Sequence, residues 1–158
     1  LANQVCSFIF STGVGPGNGW VIKSASPALP VLSVVTAQSS ASTSFTTAAY
    51  TDSAASASVG TTGVWLAIAN VCVQTGVSSP FAYKLYDGTT IINTGRSNTA
   101  GTNVSIAVSL SGVITNPAGN LRLACQGIAT GAGGYTMMAA DSVTTSTANQ
   151  NITAIRIG

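Results

Sequence analysis

Any acid–base or nucleophilic chemistry in this chain would depend on three aspartates and three cysteines. The 158-residue sequence contains no histidine and no glutamate. A serine or cysteine nucleophile needs a base such as histidine, and a glycosidase needs two carboxyl groups on either side of the scissile bond. Asp52, Asp87 and Asp141 are widely separated in the sequence. We therefore expect no enzymatic activity, no catalytic residues and no cofactor.

The three cysteines favour a structural role. Cys72 and Cys125 lie in strand-like apolar runs, where a thiol usually serves as a small buried apolar group. The alternative is a disulfide, either between Cys72 and Cys125 or formed by Cys6. Such a disulfide could also link two subunits. Because no histidine or paired carboxylate is available to complete a thiolate shell, we expect no metal site.

Charge is scarce over the whole chain. Charged residues make up 5% of the sequence, with a net charge of +2, whereas an ordinary soluble domain is about 25% charged. Since surface charge keeps proteins apart, we expect much of the surface to be covered by copies of the chain or by a larger assembly. The five scattered cations form no basic stripe, so nucleic acid is not an expected partner. Polar residues interrupt every apolar run, so we expect no membrane insertion.

The elements that position these residues are predicted to be strands. Strong helix formers are scarce, and short alternating runs are separated by turn residues, which predicts an all-β fold. Residues 64–74 are the strongest strand, with Trp65 and Val71 on one side and Leu66 and Ile68 on the other. Because both sides are largely apolar, we expect one to lie in the core and the other against another subunit or a packed arm.

Two further segments specify local geometry. Asp87-Gly88 between alternating runs predicts a hairpin with a type I′ turn, and this explains Asp87 as a turn residue. The run at residues 104–110 alternates, which predicts four inward side chains: Val104, Ile106, Val108 and Leu110.

The pattern of strand-like and loop-like segments changes near residue 44. Residues 1–44 contain three short strand-like runs, at 5–10, 20–23 and 31–35, with glycine-rich and proline-containing loops and a polar tract. We interpret them as an N-terminal β or irregular arm that serves for attachment. Residues 45–158 contain about eight predicted strands, which fit an antiparallel β-sandwich of the jelly-roll type.

The order of four segments then becomes informative. They are TTGVWLAIAN at 61–70, KLYDGTTII at 84–92, VSIAVSLSGV at 104–113 and ITAIRIG at 152–158. Together they resemble a jelly-roll module of bacteriophage and prophage virion proteins, similar to the trimeric heads of the C1q and tumour-necrosis-factor families. The resemblance covers residues 45–158 and brings no catalytic residues with it.

This resemblance implies a homotrimer in which one sheet, containing the C-terminal strand, faces a threefold axis. The candidate interface residues are Trp65, Ala67, Val71, Ile155, Arg156 and Ile157. For Arg156 three arrangements remain open: stacking around the axis, pairing with Asp52 or Asp141 of a neighbour, or reaching solvent. A buried arginine would need such a partner.

Two features suggest ligand recognition. The glycine-rich stretch 127–134 is the candidate recognition loop, since loops on a rigid scaffold often carry binding, and its named residues are Gly131, Gly133, Gly134 and Tyr135. The aromatic residues form either a sugar-binding surface or, as we favour, packing contacts: Trp20, Tyr50, Tyr83, Tyr86 and Tyr135.

The sequence therefore predicts a structural protein on the exterior of a phage virion. It would be a trimeric knob that decorates the capsid or forms a head or neck fibre, held to capsid or fibre proteins by its arm. One alternative is the receptor- or glycan-binding tip of a phage fibre, which would bind a host surface glycan. A further alternative is a pilin or surface-layer subunit.

Overall fold

The computed structural model describes residues 6–10, 20–25, 32–101, 103–129, 134–139 and 149–158. Within these ranges the chain forms twelve β-strands and no helix, which confirms the predicted all-β fold. It follows that the described ranges contain no helix of the length and apolarity needed to cross a membrane.

The chain divides into two units, Leu1–Leu32 and Ser33–Gly158. In the first unit, β1 (Cys6–Phe10) pairs antiparallel with β2 (Trp20–Ala25). Both strands coincide with strand-like runs of the sequence.

The second unit is built from two antiparallel sheets. Its strands are β3 (Val34–Gln38), β4 (Thr43–Phe45), β5 (Thr51–Ala57), β6 (Val64–Thr75), β7 (Pro80–Tyr86), β8 (Ile91–Asn98), β9 (Val104–Thr115), β10 (Leu121–Gly127), β11 (Tyr135–Met138) and β12 (Gln150–Arg156). The smaller sheet has the order β5-β10-β7-β8, and the larger sheet contains the other six strands. From β5 to β10 the chain crosses repeatedly between the sheets, which is the arrangement of a jelly roll.

The larger sheet is organised around β6. One edge of β6 pairs with β9 along its whole length. The other edge pairs first with β12 and then with β11. Beyond these two strands lie β3, which pairs with β12, and β4, which pairs with β11.

The structure places the division between the units after Leu32, not after residue 44 as the sequence analysis does. The reason is strand pairing. The register of β3 with β12 runs from Val34 opposite Ile155 to Gln38 opposite Asn151, so the backbone groups on one edge of β3 are paired in the sheet. The polar tract at 38–44 also belongs to the sandwich and is not a linker, because the N–H of Ser39 donates to the carbonyl oxygen of Gln150 and β4 pairs with β11.

The core lies between the two sheets. Burial of each large apolar side chain there contributes roughly 1.5–3 kcal/mol. Those less than 2% exposed include Phe81, Leu85, Leu121, Leu123, Met137 and Ile152. The alternation of β9 is confirmed at Val108 and Leu110, which are buried. Val104 has the same parity but is 41% exposed, because it is the first residue of an edge strand.

The loop between β7 and β8 differs from the predicted type I′ turn. Tyr86 lies opposite Ile91, so residues 87–90 form a longer loop. Gly88 has a φ of 101°, whereas the φ of Asp87 is not positive. A type I′ turn needs positive φ at both central residues, so that prediction is wrong.

Asp87 nevertheless organises the turn, as the sequence indicates. The side chain is 3% exposed, and its carboxylate accepts hydrogen bonds from the backbone N–H groups of Thr90 at 2.6 Å and Ala118 at 2.7 Å. Burial raises the pKa of Asp87, but these bonds and those from Thr89 outweigh it, so the pKa lies below its ordinary value of 3.8. The carboxylate thus joins the loop after β7 to the loop before β10.

Candidate functional site

The outer side of the larger sheet is almost without charge. Four of its six strands, β3, β12, β6 and β9, lie side by side and contain one charged residue, Arg156, at the end of β12. We call the outward side chains of these strands the neutral face. Across it, Val34 lies opposite Ile155, Ile155 opposite Leu66, and Leu66 opposite Val113. These four side chains form an aliphatic row, and Val34 and Val113 in it are 52% and 56% exposed. An exposed aliphatic row across a sheet is typical of a face that another surface covers.

Polar groups on the neutral face bind one another. Asn70 Nδ2 donates a hydrogen bond to Asn151 Oδ1 at 3.0 Å, and Ser109 Oγ donates to Asn70 Oδ1 at 2.7 Å. Because these groups already have partners within the chain, covering them costs less than burying unpaired amides.

A cavity of about 190 Å³ opens beside these hydrogen-bonded side chains of Asn70, Asn151 and Ser109, which we call the polar ladder. Its lining contains no charged residue and consists of Asn70, Val71, Cys72, Ala107, Val108, Ser109 and Asn149. A cavity of this size and chemistry can receive one small side chain from another molecule.

The structure separates the six predicted interface residues. Trp65, Ala67 and Val71 are at most 4% exposed, and they pack in the core of their own chain. Assigning them to an intersubunit surface is therefore wrong. Both sides of β6 are apolar, and the side that faces out carries Leu66 and Ile68, which are half-buried.

The other three predicted residues lie at the C-terminal end. Ile155 belongs to the neutral face, and Ile157 is 54% exposed. Arg156 is exposed, and its Nε donates a hydrogen bond to the carbonyl oxygen of Gly158 at 3.2 Å. Of the three arrangements left open for Arg156, the single chain shows the one that reaches solvent. Asp141, one of its predicted partners, lies outside the described residues.

The outer side of the smaller sheet has the opposite character. The strand register puts the charged side chains of β5, β10, β7 and β8 on one surface, which we call the charged face: Asp52, Arg122, Lys84 and Arg96. Each of its four strands contributes one of them. Half of the eight charged residues of the chain therefore lie here.

Asp52 is engaged within its own chain. The hydroxyl of Tyr86 donates a hydrogen bond to Asp52 Oδ1 at 2.5 Å, and Arg122 Nη1 donates one to Asp52 Oδ2 at 3.3 Å. The ionic pair is partly solvated, with side chains 42% and 37% exposed, so it contributes at most about 1 kcal/mol. Burial, and then the hydrogen bond to Asp52, raise the pKa of Tyr86 above 10.0.

Lys84 is held by two tyrosine rings. Its Nζ lies 4.0 Å from the centroid of the Tyr86 ring and 4.7 Å from that of the Tyr50 ring, within the range of cation–π attraction. Tyr50 is 38% exposed. Of the other predicted aromatic residues, Tyr83 packs inward, with its ring centroid 5.8 Å from that of Phe81. The side chain of Trp20 lies outside the described part of the chain.

The predicted recognition loop is described only in part, since Gly131 and Gly133 lie outside the described ranges. Gly134 has a φ of 86°. Tyr135 is 3% exposed, and its ring stacks on Phe45 with the centroids 5.0 Å apart. Its hydroxyl donates to the carbonyl oxygen of Pro80 at 3.1 Å. The prediction that Tyr135 contacts a ligand is therefore wrong, because the core holds the ring and a backbone carbonyl holds the hydroxyl.

The disulfide between Cys72 and Cys125, which was the alternative for these residues, is not formed. Cys125 is a free thiol with 0% exposure and packs in the core, whereas Cys72 lies on the outer side of β6. Burial raises the pKa of Cys125 to about 12. The interpretation of Cys125 as a small buried apolar group is confirmed.

Sequence reasoning missed the charged face as a unit. One signal was present, because the alternation of residues 81–86 puts Lys84 and Tyr86 on the same side of a strand. Asp52 and Arg122 reach them only through the strand order β5-β10-β7. That order joins segments far apart in the sequence, and the pattern of one strand does not contain it.

Comparison with known proteins confirms the fold. No family model and no curated protein sequence matches the chain. Among solved structures, the chain is similar to Eiger TNF from S. frugiperda, with a TM-score of 0.54 and 11% identity over 80% of this chain and 93% of that one. Another similar structure is the VP2 protein of infectious bursal disease virus in derived T=1 particles, with a TM-score of 0.42 and 14% identity over 96% and 40%. The likeness to Eiger TNF confirms an antiparallel β-sandwich of the TNF-like jelly-roll type, and at this identity it shows the fold alone.

Proposed function

We propose that this chain is a non-enzymatic structural protein on the exterior of a bacteriophage particle, assembled as a homotrimer through the neutral face. The single observation that carries the proposal is that face: four neighbouring strands with an exposed aliphatic row and one charged residue, at the end of a strand.

The neutral face suits contact between identical copies. Two copies of a charged patch repel one another, whereas a surface without charge meets its own copy without a Coulomb penalty. The aliphatic row of Val34, Ile155, Leu66 and Val113 supplies apolar area that is removed from water on association.

The trimer and the phage particle are supported by the resemblance of the four ordered segments to phage jelly-roll modules. A capsid decoration or a head or neck fibre needs no catalytic groups, which agrees with a chain that lacks histidine and glutamate. In this proposal the N-terminal unit, Leu1–Leu32, attaches the knob to a capsid or fibre protein.

A second candidate function is adhesion to the host surface, as the tip of a phage fibre. The observation that favours it is the charged face, which places the exposed ring of Tyr50 beside the ammonium group of Lys84. A structural knob and an adhesive tip are compatible in one protein, because they use opposite sides of the sandwich.

Immunogold labelling of intact particles tests the proposed function. Phage particles from the source strain, banded by density, are incubated with gold-labelled antibodies against the purified chain and viewed by negative-stain electron microscopy. We expect gold at repeated positions on the particle exterior, and pre-incubation of the antibody with the purified chain should abolish it. Unlabelled particles, with the antigen confined to the soluble fraction of the lysate, would contradict the proposal.

A further inference from the structure

The charged face carries an unbalanced positive charge. Its one carboxylate, Asp52, already accepts hydrogen bonds from Tyr86 and Arg122. Among the described residues this is the one ion pair, so Lys84 and Arg96 have no carboxylate partner there. Three cations and one anion on the same surface favour a negatively charged ligand.

The side chain of Lys84 is held in a defined position on this surface. The rings of Tyr50 and Tyr86 both lie within 4.7 Å of its ammonium group. Tyr86 is itself fixed by its hydrogen bond to Asp52. A long side chain that is already ordered loses less conformational entropy when a ligand binds, so Lys84 is prepared to receive an anion.

The surroundings of Lys84 select the kind of anion. Tyr50 is 38% exposed, and an aromatic ring of this kind packs against the C–H face of a sugar ring. Thr94 lies opposite Lys84 on β8 and is exposed, so its hydroxyl is available to a polar ligand. A cation, a flat ring and a hydroxyl on one open sheet match a pyranose that bears a carboxylate.

We infer that the charged face binds an acidic saccharide, with Lys84 and Arg96 receiving the carboxylate and Tyr50 contacting the sugar ring. This site is on the side of the sandwich opposite the neutral face. It is complete within one chain, so its presence does not depend on the homotrimer or on attachment to a particle.

Binding of three polymers to the full-length chain, measured by isothermal titration calorimetry at low ionic strength, tests the inference. Polygalacturonate offers both carboxylates and pyranose rings, poly-L-glutamate offers carboxylates without rings, and dextran offers rings without charge. We expect polygalacturonate to bind, poly-L-glutamate to bind about tenfold more weakly because the contact to Tyr50 is lost, and dextran to show no binding. The affinity for polygalacturonate should fall as salt is added.

Matched variants locate the site. Lys84→Gln and Arg96→Gln each remove one charge and should each weaken polygalacturonate binding about tenfold, as expected for a charge-assisted hydrogen bond. Tyr50→Leu removes the ring, keeps an apolar side chain and should weaken binding to polygalacturonate but not to poly-L-glutamate. Arg156→Gln is the control, because it also removes one positive charge, but from a residue outside the charged face. Far-ultraviolet circular dichroism and the thermal midpoint establish that each variant is folded.

Three results would overturn the inference. Equal affinity for poly-L-glutamate and polygalacturonate would show a general attraction to polyanions, including acidic proteins. Equal losses in Lys84→Gln and Arg156→Gln would show an effect of net charge with no localised site. Absence of polygalacturonate binding by the folded wild-type chain would exclude the site, whatever the oligomeric state of the protein.

Discussion

The outer faces of the two sheets are built from the same kind of strand and differ in almost every chemical respect. The neutral face exposes an aliphatic row and an amide–hydroxyl ladder. The charged face gathers Asp52, Lys84, Arg96 and Arg122 on four strands. Half of the eight charged residues of the chain therefore lie on one outer face of the sandwich. The composition alone predicts that copies of the chain cover much of the surface. The structure restricts this prediction to the neutral face.

The difference also assigns separate tasks to the two sides. A face without charge can be covered by a copy of itself, whereas a face with an excess of cations repels its own copy and attracts anions. Between them lies one core, so the two faces depend on the same packing. Changes in the core should affect both, and changes on one face should leave the other intact.

Removing the shared core should have the largest effect. Phe81 is fully buried, and its ring contacts those of Phe45 and Tyr83. Phe81→Ala should lower the free energy of unfolding by about 3–5 kcal/mol, measured by urea denaturation with fluorescence and circular dichroism. Ile91→Ala, at a residue 56% exposed, is the control and should change it by less than about 0.5 kcal/mol. Similar losses in both variants would show that the interior is not packed as described.

A charge placed on the neutral face should prevent self-association. Ile68 lies in the middle of the central strand β6 and is half-buried in the single chain. Ile68→Lys would bury an unpaired ammonium in the interface, which costs several kcal/mol and should weaken association about 100-fold or more. Thr94→Lys adds the same charge to the other face and should leave the sedimentation profile unchanged. If both variants dissociate alike, the interface is not confined to the neutral face.

Acid should reveal the contribution of Asp87. Because the folded-state pKa of Asp87 is depressed below 3.8, its stabilisation is present above that pH and is lost as the pH falls through the folded-state value. At neutral pH, Asp87→Asn should lower the free energy of unfolding by about 2 kcal/mol, since charged acceptors are lost from buried N–H groups. Denaturation curves between neutral pH and pH 2 should show the wild type and the variant converging in acid. A constant difference at all pH values would contradict this role.

The smallest effect is expected at Asp52. Asp52→Asn removes a partly solvated ion pair and should change the free energy of unfolding by less than about 1 kcal/mol. It also removes the carboxylate that favours the protonated hydroxyl of Tyr86, so the pKa of Tyr86 should fall toward its ordinary value. Alkaline titration followed by tyrosinate absorbance checks this. An unchanged Tyr86 titration would show that the hydrogen bond is not formed in solution.

Sequence patterns predicted what depends on neighbours along the chain. The alternation of residues 64–74 gives a strand with two apolar sides, and the structure confirms it. The same pattern does not show which side faces the core, because Trp65 and Leu66 are both apolar. That choice is made by the packing of the smaller sheet, and the interface residues assigned to the Trp65 side were wrong for this reason.

The remaining errors have the same origin. The polar segment before residue 45 resembles a linker, but Gln150 and the strand β11, both far along the chain, supply its hydrogen-bond partners. Tyr135 follows a glycine-rich stretch and resembles a loop tip, but Phe45 fixes its ring. Contacts between distant segments decide these positions, and local composition does not record them.

Sedimentation equilibrium of the wild-type chain over a range of micromolar concentrations and salt concentrations tests the central claim most directly. If copies cover the neutral face, the protein should sediment with the mass of three 15.6 kDa chains, and added salt should not dissociate it, because the interface contains no ion pairs to screen. A single-chain mass throughout this range, or a trimer that salt dissociates, would contradict the account.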